Sequence, residues 1–369
     1  MKSVWYACSA ERISAPIVAP RGRWWLSAVA LAFTTACSLD SSRDQPTIPL
    51  PTGHYEGPIT YRGSELRVAL DLREATPGQL QGDISFPENP GLSFPAGQLR
   101  YKEPQLRLEQ DPTQPGGISL HALREGDFLR GVLSWDSAQV DFVWVRRGEA
   151  APRGYREQDL KLRYAGLGQL ATMRLPEDTV ARHPAVVMLG VPAAQAVRLT
   201  RQGYVTLVLP AAVPTDSGAT AAVSAALTLL RTQAAVDSSK VGVWSRGPAA
   251  PWAVAAAAQA QPQAAFVVLE GAPARTAAEA KAYQVLSQQR IPALGLYAAL
   301  DTSLNIPDNY RNLRRVLGLR RNGMVRTYPR ATAAFIVPGR AGANGQWQWP
   351  TPAPGYWEGL TDWLRAVTK

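Results

Sequence analysis

Two hydrophobic periods divide the chain. From Gly53 to about Arg147, apolar residues recur at every second position in short runs. LRVALDL puts Leu66, Val68, Leu70 and Leu72 on one face, and VDFVWV does the same for Val140, Phe142 and Trp144. Turn sequences (TPG, PGG, REGD) break these runs into about eight strands with no long helix, which predicts an antiparallel β meander or small barrel over 53–150. After about Pro152, compact apolar runs alternate with helical patterns. DLKLRYAG and GQLATMRLP read as a leading hairpin, and PAVVMLG, YVTLVLP, KVGVW, AAFVVLEG, IPALGLYAAL and MVRTYP as strands. Between them AAQAVRLTRQG, ATAAVSAALTLLRTQ, the Ala-rich 249–260, ARTAAEAKAYQVLSQQ, NYRNLRRVLG and YWEGLTDWLRAV read as helices. Over 151–369 this alternation predicts an α/β domain with a doubly wound, mostly parallel sheet covered by helices.

The first 52 residues follow neither period. A basic flank at 21–23 precedes the apolar run WWLSAVALAFTTA and then Cys37. The run falls short of the roughly 20 apolar residues of a spanning helix, so 1–36 reads as a signal peptide. Thr34-Thr35-Ala36-Cys37 resembles a bacterial lipobox, with Thr34 where an aliphatic residue is commonest. Cleavage there would make Cys37 the lipidated first residue of a cell-envelope protein, secreted across the inner membrane and held to a membrane by its lipid. Ordinary cleavage near Ala36, releasing a soluble product, is the alternative. Residues 37–52 are polar and Pro-rich and read as a flexible tether. Cys8 leaves with the signal peptide, so neither a disulfide nor thiol chemistry is expected.

A chain of 369 residues with 46% apolar content can bury two ordinary cores. Its net charge of +10 comes from scattered Lys and Arg, which implies a basic surface and no nucleic-acid groove. Three separated histidines and no HExxH give no metal site, and no cofactor is expected. His54 and His121 each stand apart in the β region and read as structural. GRAGANG (339–345) is not followed by Gly-Lys-Ser/Thr and is no phosphate loop. Trp357 and Trp363 have helical core spacing. Trp347 and Trp349 alternate beside Pro350 and read as packing residues or as the lining of an apolar cleft.

Three segments carry a resemblance. VDSSKVGVWSRGPAAPWAV is similar to the strand, elbow and helix "VDPxKIGLWGxSxGG" of α/β-hydrolases, in the dienelactone-hydrolase and acyl-thioesterase-like branch. IPALGLYAALDTSLNIPDNYRNLRRVL resembles "IPTLxIYGxxDxxVP", and HPAVV resembles "HPAVVLxHG", in which the histidine is a surface residue. GHYEGPITYRGSELRVALDL and FLRGVLSW resemble a β-domain found ahead of some secreted α/β-hydrolases. The resemblance implies a Ser-acid-His site. In the ungapped register Gly247 occupies the nucleophile position, Ser245 that of the first elbow glycine, and Ala249 and Ala250 those of the following glycines. A rival register makes Ser245 the nucleophile but shortens the strand by two residues. Asp301 falls on the acid, and Ala333 on the histidine.

No histidine follows His183 whatever the alignment. A serine hydroxyl needs a neighbouring base to take its proton and return it to the leaving group. Among Lys102, Lys161, Lys240, Lys281 and Lys369 none suggests a substitute, and Lys240 lies at the wrong end of its strand. The oxyanion "HG" is replaced near Leu189, Gly190 and Val191, and "DxRG" by PAAV (210–213). These losses point to an inactive hydrolase-fold lipoprotein that binds a small molecule in a vestigial pocket or an envelope protein partner. The rivals are an ester or thioester hydrolase using Ser245, Asp301 and an unconventional base, and a ligand-carrier lipoprotein.

Overall fold

The computed structural model describes residues 49–318 and 323–369, apart from 91, 96–97, 110–116, 211–212, 214–215 and 217. The expected signal segment 1–36, Cys37 with its expected lipidation, the expected tether to residue 48, and residues 211–212 of PAAV lie outside the described residues. The last tether residues, 49–52, are packed: Pro51 is buried, and Arg124 donates through Nη1 to the Pro49 carbonyl at 2.5 Å.

The alternating region forms one antiparallel sheet of nine strands, one more than the turn signals separate. They are β1 (Gly53–Tyr61), β2 (Ser64–Thr76), β3 (Gln79–Ser85), β4 (Ser93–Pro95), β5 (Gln98–Lys102), β6 (Gln105–Glu109), β7 (Ile118–Glu125), β8 (Phe128–Trp135) and β9 (Ala138–Gly148). The order β4-β3-β2-β1-β9-β8-β7-β6-β5 is a meander closed by the β1–β9 pairing. The sheet curls on itself, since a Cβ on Gly82 of β3 would lie 3.5 Å from the Leu108 side chain of β6 and 3.6 Å from that of Leu99 of β5. The alternation then has a direct consequence. Leu66, Val68, Leu70, Leu72, Val140, Phe142 and Trp144 all point into the curl and are buried, while their neighbours other than the buried Ala69 are exposed or half-buried.

The second sheet holds β10 (Tyr155–Tyr164), β11 (Leu167–Pro176), β12 (His183–Leu189), β13 (Val205–Val208), β14 (Val236–Arg246), β15 (Val267–Glu270), β16 (Ala293–Ala298) and β17 (Gly323–Tyr328). Its order is β10-β11-β13-β12-β14-β15-β16-β17. The β10–β11 hairpin joins antiparallel, and β13 through β17 pair in parallel. The helices are α1 (Ala193–Thr200), α2 (Gly218–Arg231), α3 (Ala250–Gln259), α4 (Ala277–Lys281), α5 (Gln284–Gln288), α6 (Ile306–Leu317) and α7 (Tyr356–Val367). Apolar residues of α1 and α7 share one core with the sheet, and those of α2 to α6 share another, so both faces are covered. The single helix read over 274–289 is two short ones. Tyr283 between them is buried and donates its hydroxyl to the Pro273 carbonyl, which breaks the helical path. Among the described residues no helix is long and apolar enough to cross a membrane.

Both sheets belong to one compact unit, Ile48–Lys369. At the linker, Ala151 donates its N–H to Asp71 Oδ1 at 3.0 Å, Arg73 Nε donates to the Ala151 carbonyl, and Arg153 Nε donates to Asp83 Oδ2 at 3.3 Å. A second connection is apolar. Trp347 and Trp349, from the chain leading into α7, are buried in the core of the nine-stranded sheet. Trp349 stacks on Trp135 with centroids 5.8 Å apart, and Trp347 meets Tyr61 edge-on at 5.2 Å. Trp349 also forms part of the wall of a cavity of about 430 Å³ with Leu66, Arg330 and Thr351, so it both packs and lines a cleft.

Trp349→Ala should destabilise the protein by about 3 kcal/mol, the cost of emptying a large aromatic site in a packed core. Urea denaturation followed by far-ultraviolet circular dichroism measures it. A loss below about 1 kcal/mol would mean the arm lies outside the core.

Candidate functional site

After β12 the chain adds β13 on one flank and then β14 on the other. That reversal opens a crevice at the carboxyl ends of β12 and β14, the place where open α/β sheets bind ligands. Gly190, just after β12, meets Arg246 at the end of β14: a Cβ on Gly190 would lie 3.1 Å from the Arg246 carbonyl oxygen. A cavity of about 360 Å³ lies over the ends of β14, β15 and β16, and Arg246, Gly247, Glu270, Asp301, Ala333 and Phe335 are among its lining residues. The structure thus brings Gly247, Asp301 and Ala333 to one cavity from three separate loops.

Gly247 forms the turn between β14 and α3. Its φ is +70°, in the left-handed region that glycine enters without strain. A Cβ built there would meet no atom within 4 Å, so a side chain at this position would project into open space. An exposed, sharply turned residue between strand and helix is what a nucleophile elbow requires. Here the residue carries no functional group. The next residue is Pro248, and the N–H after the nucleophile normally supplies one oxyanion donor. Proline has none.

Ser245 sits two residues earlier, inside β14, paired with Leu189 of β12 and Leu269 of β15. It is fully buried, and its Oγ has no hydrogen-bond partner. From there the hydroxyl has no path to a substrate.

The polar content of the cavity wall is locked in a network. Glu270, at the end of β15, is fully buried. Arg246 donates through Nε to Glu270 Oε2 at 2.7 Å, and its Nη2 lies equally close to the same oxygen without hydrogen-bond alignment. The Tyr356 hydroxyl, at the start of α7, donates to Glu270 Oε1. Burial, then the Glu270 charge, pushes the Tyr356 phenol well above its ordinary range, so at neutral pH it remains a donor. The Arg246 guanidinium lies 5.9 Å from the Phe335 ring, and Phe335 stacks on Tyr356 at 4.3 Å. Glu270 is therefore committed to structure and has no free oxygen for base catalysis.

Asp301 Oδ1 accepts from the Ser303 N–H at 3.0 Å and the Ser303 hydroxyl at 2.6 Å, closing the loop before α6. Ala333 lies on the turn after β17, half-buried and with nothing to exchange a proton. His183 is not the surface residue its motif implies. It is buried at the opposite end of β12, with Nδ1 3.0 Å from the Gly203 carbonyl and Nε2 3.1 Å from that of Asp178. Lys240 pairs with Asp237 at 3.6 Å, six residues before Arg246 and so roughly 20 Å from the cavity along an extended strand. His54 contacts Asp71 at 3.0 Å, and His121 is exposed beside Glu109. No group of three metal-capable side chains exists among the described residues.

Sequence reasoning missed Pro248 and the Arg246–Glu270–Tyr356 network. Pro248 was legible once Gly247 was aligned, from its missing N–H alone. Glu270 left a fainter signal, as the one acid ending the apolar strand Val267–Glu270. What the cavity can do chemically is accommodate a molecule. Its lining includes Asp301 and Ser303, bonded to each other, while Gly247 stands at the turn with Pro248 after it and Ala333 across the cavity.

No family model matches the chain, and no curated protein matches it. Among solved structures it is similar to the dienelactone hydrolase of Anabaena variabilis, with 16% identity over 58% of this chain and all of that one, at a TM-score of 0.44. It is similar to a dienelactone hydrolase-like promiscuous phosphotriesterase from metagenomic libraries at 17% identity, with the same coverage and TM-score. A cold-adapted esterase from an Arctic intertidal metagenomic library matches at 13% identity over 58% of this chain and 95% of that one, also at 0.44. Likeness at this level leaves the fold resting on the strand order and the site on its own residues.

Arg246→Ala should cost about 3–5 kcal/mol, because it leaves the Glu270 charge buried and unpaired, whereas Arg246→Met with Glu270→Leu and Tyr356→Phe should be close to neutral. Chemical denaturation of both variants compares the two. The buried phenols set an alkaline limit as well. Tyr356, Tyr283 and Tyr297 are raised, chiefly by burial, and Tyr155 is pushed up to about 12. The folded state keeps protons that the unfolded chain releases near pH 10, so this stability is whole below about pH 10 and falls as pH rises above it. Tyrosinate absorbance should therefore lag behind that of free tyrosine and appear together with unfolding.

Proposed function

We propose that the chain is a lipid-anchored cell-envelope protein whose second domain, an α/β-hydrolase-like and doubly wound module, is a catalytically inert binding or scaffold unit. The observation that carries this reading is the elbow. Its tip is Gly247, its following donor is replaced by Pro248, and Ala333 stands across the same cavity. Acyl transfer needs a nucleophile, a base that moves its proton, and donors for the developing oxyanion. Each of these roles falls on a residue unable to fill it. Loss of a triad alone removes about six orders of magnitude of turnover, and the remainder of about 10³ over water depends on binding and the oxyanion hole.

The open cavity favours a binding role for this domain, with the ligand-carrier reading as one form of it. Lipidation of Cys37 supplies the anchor in this proposal, and the nine-stranded sheet serves as a packing or partner-binding unit. An ester or thioester hydrolase using Ser245 is the competing reading. The full burial of Ser245 weighs against it.

Purified protein should therefore resist fluorophosphonate labelling and show no p-nitrophenyl ester turnover above the uncatalysed rate. Ser245→Ala should leave any trace activity unchanged and be neutral or stabilising by up to about 1 kcal/mol, since it removes an unpaired buried hydroxyl. Covalent modification at Ser245 with ester turnover would establish the hydrolase reading instead. Native mass spectrometry of the same preparation tests the carrier form through a co-purified small molecule.

A further inference from the structure

The outer face of the nine-stranded sheet departs from its own pattern. Alternation places polar residues outward along most strands, yet Leu123 of β7, Phe128 and Val132 of β8, and Val143 of β9 are 45%, 48%, 39% and 48% exposed. They are neighbours. Arg130 pairs with Leu123 on one side and Val143 on the other, while Phe128 and Val132 lie two residues before and after it on β8. Four exposed apolar side chains thus surround one arginine, itself 64% exposed, whose Nε lies 3.9 Å from Glu125 Oε2 at the edge of the cluster. An exposed apolar cluster with a polar rim marks an interaction surface.

We propose that this face rests on a phospholipid membrane, with the four apolar side chains at the headgroup boundary and the Arg130 guanidinium among the phosphates. Two observations choose the membrane as the occupant. First, the chain arrives beside the patch: the Pro49 carbonyl is bonded to Arg124, the residue after Leu123, and Gly53 and Phe128 lie at the same end of the sheet. Twelve residues separate Pro49 from Cys37, a reach of roughly 40 Å when extended, so a lipid on Cys37 would bring this end of the sheet to the bilayer. Second, an arginine ringed by apolar groups suits a surface where its stem lies in an apolar layer and its head meets anions. Arg147, exposed and of the same strand parity as Val143, lies at the edge of the patch on β9, and Glu125 and Asp141 make the rest of the rim mixed in charge. The inference rests on the anchored reading above and is independent of the cavity.

The test uses the purified lipoprotein and vesicles of phosphatidylethanolamine and phosphatidylglycerol. An environment-sensitive fluorophore is attached at Phe128→Cys or, as a control, at Leu170→Cys on the second sheet, where Leu170 is 65% exposed. Flotation with the vesicles reports anchoring. The label reports which face meets lipid. The expected result is flotation, a blue shift of the label at 128, and several-fold stronger quenching by spin-labelled lipid at 128 than at 170. Flotation with both labels in water would overturn the docking face and leave the anchor standing. Failure to float would overturn both. A blue shift at 128 without vesicles, accompanied by a dimer in sedimentation, would assign the patch to a second copy and overturn the membrane.

Discussion

A carboxylate sealed from water must be met by charge and hydrogen bonds or it unfolds what surrounds it. Glu270 imposes that condition on the carboxyl edge of the second sheet. It fastens the end of β14 through Arg246, the end of β15 through its own backbone, and the start of α7 through Tyr356. The segment between β17 and α7 is shaped around that attachment. Phe335 takes a φ of +56° to stack on Tyr356, its N–H reaches the Thr332 carbonyl, and its carbonyl accepts from Ala353. Ala333 lies within this turn, so its place in the cavity wall is set by the same attachment.

The same segment couples the two sheets. Between Phe335 and Tyr356 the chain leaves the second sheet, places Trp347 and Trp349 in the core of the first, and returns through a short pairing of Ile336–Val337 with Thr351–Pro352. The nine-stranded curl is filled at its Tyr61 and Trp135 end by side chains from elsewhere in the chain: Trp349 lies against Trp135 and Tyr61, Trp347 against Tyr61, and Phe86 stacks on the Trp135 ring. The polar clasp at Asp71, Arg73 and Ala151 holds the linker on the other connection. Two independent attachments oppose relative motion of the sheets, and each runs through buried or half-buried groups.

Much of this was legible in the sequence because period carries direction. Alternation over 53–147 and compact runs after 152 fix which residues face inward, and buried Leu70 and Val187 follow from that alone. The elbow was legible too, since Val236 through Gly242 set the register without a gap and place Gly247 at the turn. Other features depend on contacts between distant segments, which no local period encodes. Trp347 and Trp349 look the same in sequence whether they line a cleft or fill a remote core. His183 looked like a surface residue because its two carbonyl partners come from residues 178 and 203. The Arg246–Glu270–Tyr356 network spans 110 residues, and neither its charge nor its burial shows until β14, β15 and α7 meet.

The elbow's departures share a physical direction. A non-glycine residue at φ +70° holds on the order of 1–2 kcal/mol of backbone strain, tolerated in hydrolases because it exposes a nucleophile. Gly247 removes that strain along with the side chain. Pro248 then fixes one backbone angle in the first turn before α3, where a missing N–H costs no helical bond. Across the cavity, Asp301 spends its oxygen on closing a turn, and Glu270 spends both of its own on Arg246 and Tyr356. Gly247 is thus unstrained and Glu270 bonded through both oxygens, while Phe335 keeps its positive φ in the same wall. A site kept for chemistry resists such changes, because its strain and free valences are what the reaction uses. A site kept as a shaped wall does not, and on the proposed binding reading an unstrained Gly247 and a fully bonded Glu270 beside an open cavity are the arrangement expected.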